Sequence, residues 1–346
     1  MVNNFAATGP DTADGVERLI PVSIVTGFLG SGKTTLISRL LRDPAFGRTA
    51  VIVNEFGEVG LDHDLIANSD DSVLTLNTGC LCCAVQTDLA RTLMELLKRR
   101  EVGSADYDRV LIETSGLSDP APMLQAIMAD RDVFASHRIA AVVTLVDAIH
   151  GLRTLQEHTE ARQQIALADR ILISKTDLQQ PSDRLLEQLG ILNPGVPFMM
   201  TSQANCSTLF DDTSIVALSE RIVGASHQRG HSEIETFTVI RDVPMPAVAL
   251  TMLLESISEH CGSRMLRLKG LVSIREMPGR PAVIHGVRHV VNAPDFLDRW
   301  PSEDERTRIV LIGRGVPRYF VPRLLEAIEE EVYDAIGAPR GNAEQA

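Results

Sequence analysis

From residue 19 onward, short apolar runs alternate with amphipathic stretches. LIPVSIVTG at 19–27, TAVIVN at 49–54, SVLTL at 72–76, RVLIE at 109–113, IAAVVTLVD at 139–147 and RILIS at 170–174 are rich in β-branched residues. Runs of that length and composition predict strands. Between them, residues 33–42 and 85–100 have helical spacing, with Leu89, Leu93, Leu96 and Leu97 on one face of the second. Uninterrupted apolar strands separated by helices predict a mostly parallel sheet covered on both faces.

The pattern changes near GASHQRG at 224–230, which reads as a linker. Beyond it, IETFTVIRD at 234–242 reads as a strand, and 246–260 as a helix with proline in its first turn. RMLRLKGLVSI at 264–274, PAVIHGVRHVV at 281–291 and RIVLIGRG at 308–315 read as strands, and 321–336 as a closing helix. The expected organisation is an α/β domain over 19–223, a linker at 224–232 and a smaller α+β domain over 233–337. Residues 1–18 and 338–346 are polar and read as loose ends.

Composition narrows the classes. The 33 basic and 46 acidic side chains give a net charge of −13, which argues against a nucleic-acid binder or a protein that docks on anionic lipid. The five cysteines are an odd count, and Cys80, Cys82 and Cys83 are clustered, unlike a secreted disulfide framework. With no signal-like start and no uncharged stretch long enough for a bilayer, a reducing cytoplasm is the expected setting.

The sharpest chemical signal is GFLGSGKTTL at 27–36, placed between a strand and a helix. This is the context the phosphate-loop pattern needs. Gly27, Gly30, Ser31 and Gly32 let the backbone wrap phosphates, and the helix N-terminus adds favourable partial charge. Lys33 is expected to bridge the β- and γ-phosphates, Thr34 to ligate Mg²⁺ and Thr35 to meet the α-phosphate. Glu113, at the end of an apolar strand, suits a water-mediated Mg²⁺ contact or the orientation of attacking water, and the N–H of Gly116 suits sensing the γ-phosphate. In SKTD at 174–177, the Asp177 carboxylate matches two guanine N–H donors, and the stem of Lys175 can cover the base. That favours GTP over ATP.

The second signal is Cys80-Leu81-Cys82-Cys83, after a strand and before a helix. Thiolates are soft ligands that suit Zn²⁺, but a structural zinc site ordinarily has four protein ligands. The set is incomplete, as expected for a metal that must also leave. A redox pair and plain packing are the competing readings. In NEFGEVGLD at 54–62, Glu58 and Asp62 are further candidate metal ligands on a loop that answers to the γ-phosphate. His285 and His289, four apart in an expected strand, would lie about 13 Å apart on one face, too far to share an ion.

Taken together, these residues resemble the CobW-like GTPases, a family that includes zinc metallochaperones, cobalamin-biosynthesis factors and nitrile hydratase activators. GFLGSGKTTL, NEFGEVGLD, GCLCC, ETSGLSDP and SKTD occur in that family's order, and RLKGLVSI, IHGVRHVV and Trp300-Pro301 resemble its C-terminal domain. The resemblance implies a GTPase that binds Zn²⁺, or a similar ion such as Co²⁺, through Cys80, Cys82 and Cys83 beside the nucleotide, with hydrolysis coupled to delivery to a metal-requiring client. It also implies self-association as an option. The alternative is a GTP-dependent activator of a partner enzyme that carries no metal itself. Ser174 stands where GTPases usually carry asparagine, and the histidine-rich insertion of many family members is absent.

Overall fold

The computed structural model describes residues 19–54, 73–75, 82–210, 234–317 and 319–336. In its first part, strands and helices alternate: β1 (Ile20–Gly27), α1 (Lys33–Leu40), β2 (Thr49–Asn54), β3 (Val73–Thr75), α2 (Cys82–Glu101), β4 (Arg109–Thr114), α3 (Ala121–Ala129), α4 (Arg131–Ser136), β5 (His137–Asp147), α5 (Gly151–Glu157), α6 (Thr159–Leu167), β6 (Arg170–Ser174), α7 (Asp183–Leu192), β7 (Phe198–Met200) and α8 (Cys206–Phe210). The seven strands form one sheet in the order β3-β2-β4-β1-β5-β6-β7, and every pairing is parallel. Val22, Ile24 and Val25 of β1 and Val142 and Val143 of β5 are fully buried because helices cover both faces. Each such side chain contributes roughly 1.5–3 kcal/mol on leaving water.

The second part is β8 (Ile234–Arg241), α9 (Ala247–Cys261), β9 (Met265–Val272), β10 (Ala282–Val287), β11 (Val290–Val291), β12 (Asp295–Phe296), β13 (Thr307–Arg314) and α10 (Phe320–Ile336). Its six-stranded sheet is antiparallel, ordered β11-β10-β9-β13-β8 with β12 added to β10. Leu250, Leu253 and Ile257 of α9 pack with Leu325 and Ile328 of α10 over one face of it. This is a phosphate-loop α/β domain followed by an α+β domain, as expected. No described helix is long and apolar enough to cross a membrane.

Several expected boundaries need correction. The helix over 33–42 ends at Leu40, because Asp43 precedes Pro44 and adopts an extended conformation that caps a 3-10 turn. The helix over 85–100 begins at Cys82, so Cys82 and Cys83 are its first residues and not part of a preceding loop. Pro246 is the extended residue before α9, outside its first turn. The strand over 281–291 is a hairpin, with Val287 paired to Val290 across Arg288 and His289. His285 and His289 therefore do not share a strand face. β7 and α8 were not anticipated.

The two domains meet at a buried joint. Ala166 of α6 packs with Ile234, Leu266, Val310 and Ile312 of the second domain. Asp169, 5% exposed, is the acid of this joint. It accepts from the Val142 N–H at 2.8 Å, from the Arg267 guanidinium at 3.0 Å and from the Lys269 ammonium. Burial lowers the pKa of Lys269. Burial, then repulsion by Lys269 and Arg267, pushes His285 down to about 3, which keeps its ring neutral.

Candidate functional site

Parallel strands all deliver their carboxyl ends to one edge, and ligands in open α/β sheets bind there. At this edge β1 ends at Gly27, β4 at Thr114, β5 at Asp147 and β6 at Ser174. β1 is central, so the loop after it lies between the ends of β4 and β5.

The phosphate loop has the backbone its glycines permit. Gly27, Gly30 and Gly32 have φ of 143°, 70° and 92°. A side chain on Gly27 would come within 2.5 Å of the Leu145 carbonyl, so only glycine fits there. The Ser31 N–H donates to Phe28 O at 3.1 Å, which closes the loop. Phe28 stacks on His158, with ring centroids 4.4 Å apart. No side chain caps α1, so its first N–H groups remain available to an anion. Lys33, 8% exposed, reaches back over the loop and donates to Gly27 O at 2.9 Å and Phe28 O at 3.4 Å. Thr35 is exposed on the first turn of α1.

The other sequence candidates converge on this loop. The Thr34 hydroxyl donates to Glu113 Oε1 at 2.7 Å, and Glu113 is 2% exposed. A hydroxyl and a carboxylate side by side are the hard oxygen donors that Mg²⁺ takes, so these residues fit that ion. Gly116 lies so close to the phosphate loop that a Cβ would come within 2.6 Å of the Leu29 N atom. Gly32 faces Ser174, with 3.9 Å from its ideal Cβ to Ser174 Cβ. Lys175 has φ of 57°, and Asp177 is exposed in the turn that follows.

Three contacts were not anticipated. Lys175 Nζ pairs with Asp147 Oδ2 at 2.6 Å, fixing the lysine beside the loop. Burial alone would raise the Asp147 carboxyl, but hydrogen bonds from Lys175 and from the Ile149 and His150 N–H groups hold it below the usual range. The Gln164 amide, 1% exposed, donates to Gly116 O at 3.1 Å and Ser118 O at 3.0 Å, tethering the segment after Glu113 to α6. Beside the loop is a cavity of about 170 Å³ lined by Phe28, Gly30, Ser31, Asp147, Leu155 and Lys175.

Glu58, Asp62 and Cys80 lie outside the described residues, and of Cys82 and Cys83 only the helical backbone is described. That backbone places both at the N-terminus of α2, which follows the carboxyl end of β3. β3 is three positions from β1, roughly 14 Å at ordinary strand spacing. The helix that carries two of the thiols therefore starts on the same edge as the phosphate loop. Among the described residues, no group of three or more His, Cys, Asp or Glu side chains is arranged to hold a metal.

The CobW/HypB/UreG nucleotide-binding domain model matches residues 21–200, and the cobalamin synthesis protein CobW C-terminal domain model matches 234–329. The chain belongs to the CobW/HypB/UreG family. Its relatives in that family include the zinc chaperone YjiA of Escherichia coli, 32% identical over 86% of this chain and 95% of the relative. Another is the zinc-regulated GTPase metalloprotein activator 1 of Saccharomyces cerevisiae, 33% identical over 94% of this chain and 86% of the relative. The crystal structure of Zn(II)-bound YjiA GTPase from E. coli superposes with a TM-score of 0.67 at 26% identity, covering 90% of this chain and 99% of that one.

Proposed function

We propose that this CobW-family protein is a Mg²⁺-dependent GTPase that binds zinc as cargo and delivers it to a metal-requiring client protein. The observation that carries the reading is convergence at one sheet edge: phosphate loop, Glu113–Gly116 segment, Ser174–Asp177 turn and the start of the cysteine-bearing helix. Relatives named as zinc chaperones and as a zinc-regulated GTPase activator support the same assignment.

In this reading residues 19–223 are the catalytic unit and 233–337 the unit that meets the client. Lys33 moves from its loop carbonyls to the β- and γ-phosphate oxygens, and Thr35 meets the α-phosphate. Thr34 and Glu113 would hold Mg²⁺, which would supply positive charge against the transferred phosphoryl group. Glu113 also orients the attacking water, and the Gly116 N–H meets the γ-phosphate. Lys175 covers the base, and Asp177 accepts the two guanine N–H groups. Cys80, Cys82 and Cys83 supply soft ligands for zinc, with Glu58 and Asp62 on the loop that answers to nucleotide state. GTP orders both loops, and hydrolysis relaxes them and lowers zinc affinity. The test is the stoichiometry of zinc bound to chelated, reduced protein. Cys82→Ala and Cys83→Ala are expected to lose zinc while retaining GTP affinity. GTP turnover with no thiol-dependent zinc would instead indicate an activator that carries no metal.

A further inference from the structure

Lys175 and Arg288 are the non-glycine residues with positive φ among the described residues. Lys175 belongs to the nucleotide site already described. Arg288, at φ 53°, is the first residue of the two-residue loop joining β10 to β11. Hairpin loops that need positive φ there ordinarily use glycine or asparagine. An arginine in this conformation costs backbone energy, and an outlier of that kind calls for a reason.

The reason lies across the domain boundary. The Arg288 guanidinium pairs with Asp119 Oδ2, and both side chains are largely buried, at 28% and 21% exposure. Asp119 lies three residues beyond Gly116, and its other oxygen accepts the Ala121 N–H at 2.9 Å, fixing the start of α3. The hairpin is firmly seated. Val287 belongs to the same apolar cluster as Leu124 and Ile127 of α3, and Val290 packs against that cluster. His289 meets the Gln125 amide at 3.4 Å, and its carbonyl accepts from the Ser258 hydroxyl of α9 at 2.5 Å. The segment 116–119 is thus held from two sides: by Gln164 within its own domain and by Arg288 from the other.

We propose that Arg288, acting through Asp119, is a positioning residue for the segment that meets the γ-phosphate, so the second domain's hairpin is coupled to nucleotide state. The proposal rests on reading residues 113–116 as the γ-phosphate segment. GDP lacks the group that this segment senses, so the ion pair affects the GTP-bound form selectively. Linkage is reciprocal: whatever the pair contributes to GTP over GDP, GTP returns to the docking of the hairpin.

The test compares affinity for a non-hydrolysable GTP analogue with affinity for GDP, alongside steady-state GTP turnover, in the full chain. Arg288→Gly keeps a turn-compatible residue and removes the ion pair, and Arg288→Lys keeps the charge. Arg288→Gly is expected to lower the analogue-to-GDP affinity ratio and kcat by at least about fivefold, the lower end of ordinary coupling. GDP affinity should hold, and Arg288→Lys should recover most of the loss. An unchanged ratio and kcat in Arg288→Gly overturns the proposal, as does an equal fall in GDP affinity, which marks general damage. If the unaltered protein binds no GTP, the functional reading itself falls and takes this one with it.

Discussion

The carboxyl edge of the parallel sheet and the joint between the two domains both hold charge out of water, but with different balances. At the edge, Lys175 is paired with Asp147 and Lys33 with loop carbonyls, and neighbouring Asp177 and Thr35 are open to solvent. At the joint, Arg267 and Lys269 are turned inward on one acid, Asp169, and all three are buried. The first arrangement can exchange its partners for a ligand, because lysine and backbone donors regroup around phosphate at little cost. The second cannot exchange, because any partner removed leaves a charge stranded in a low-dielectric interior. The edge therefore has the exchangeable donors that the proposed chemistry needs, and the joint is a fixed contact between the two domains.

The sharpest way to break this comparison is at the joint. Asp169→Ala strands two cations and should destabilise the fold by about 3–5 kcal/mol in denaturant titration. Any protein that remains folded should keep its GTP affinity, so a selective loss of GTP binding at full stability would reverse the division of roles. At the edge, Lys33→Ala should do the opposite. In the proposed role it removes charged hydrogen bonds to two phosphates, about 3 kcal/mol or roughly 100-fold in nucleotide affinity by calorimetry, with little change in unfolding.

Acid sharpens the contrast further. His285 and His137 are held down at about 3 and about 4, chiefly by burial, whereas an unfolded chain protonates histidine near 6.5. Below that pH the unfolded state takes up protons that the native state refuses, so stability falls as pH falls. From pH 6.5 to pH 5 each ring should remove up to about 2 kcal/mol, and His285→Gln should flatten the profile. A profile unchanged by His285→Gln would mean that the ring is not held neutral at the joint. The smallest effect expected is on selectivity. Asp177→Ala should cut the preference for GTP over ATP by roughly tenfold, about 1.4 kcal/mol, in competition binding.

Much of the edge was legible in the sequence because its parts are local. β2 and β6 match their apolar runs residue for residue, and glycine spacing together with strand–loop–helix order identified the phosphate loop. The partners that complete the site were not legible. Asp147 ends an apolar strand, Gln164 is a polar residue on a helix and Asp169 follows the apolar run 165–168; each acquires meaning only from a contact made at long range. The hairpin at 288–289 escaped because Arg288 occupies a turn position that sequence signals assign to glycine or asparagine. Helix α2 begins earlier than the leucine spacing suggests because that spacing starts at Leu89, and Cys82 and Cys83 continue the helical backbone before it.

The most direct measurement of the central claim is a competitive Zn²⁺ titration of chelated, reduced protein with Mg²⁺. It would be run with a non-hydrolysable GTP analogue, with GDP and without nucleotide. The account predicts thiol-dependent zinc binding that is roughly five- to 150-fold tighter with the analogue than with GDP, the usual span of coupling between two sites. Zinc affinity that is the same in all three conditions would contradict it.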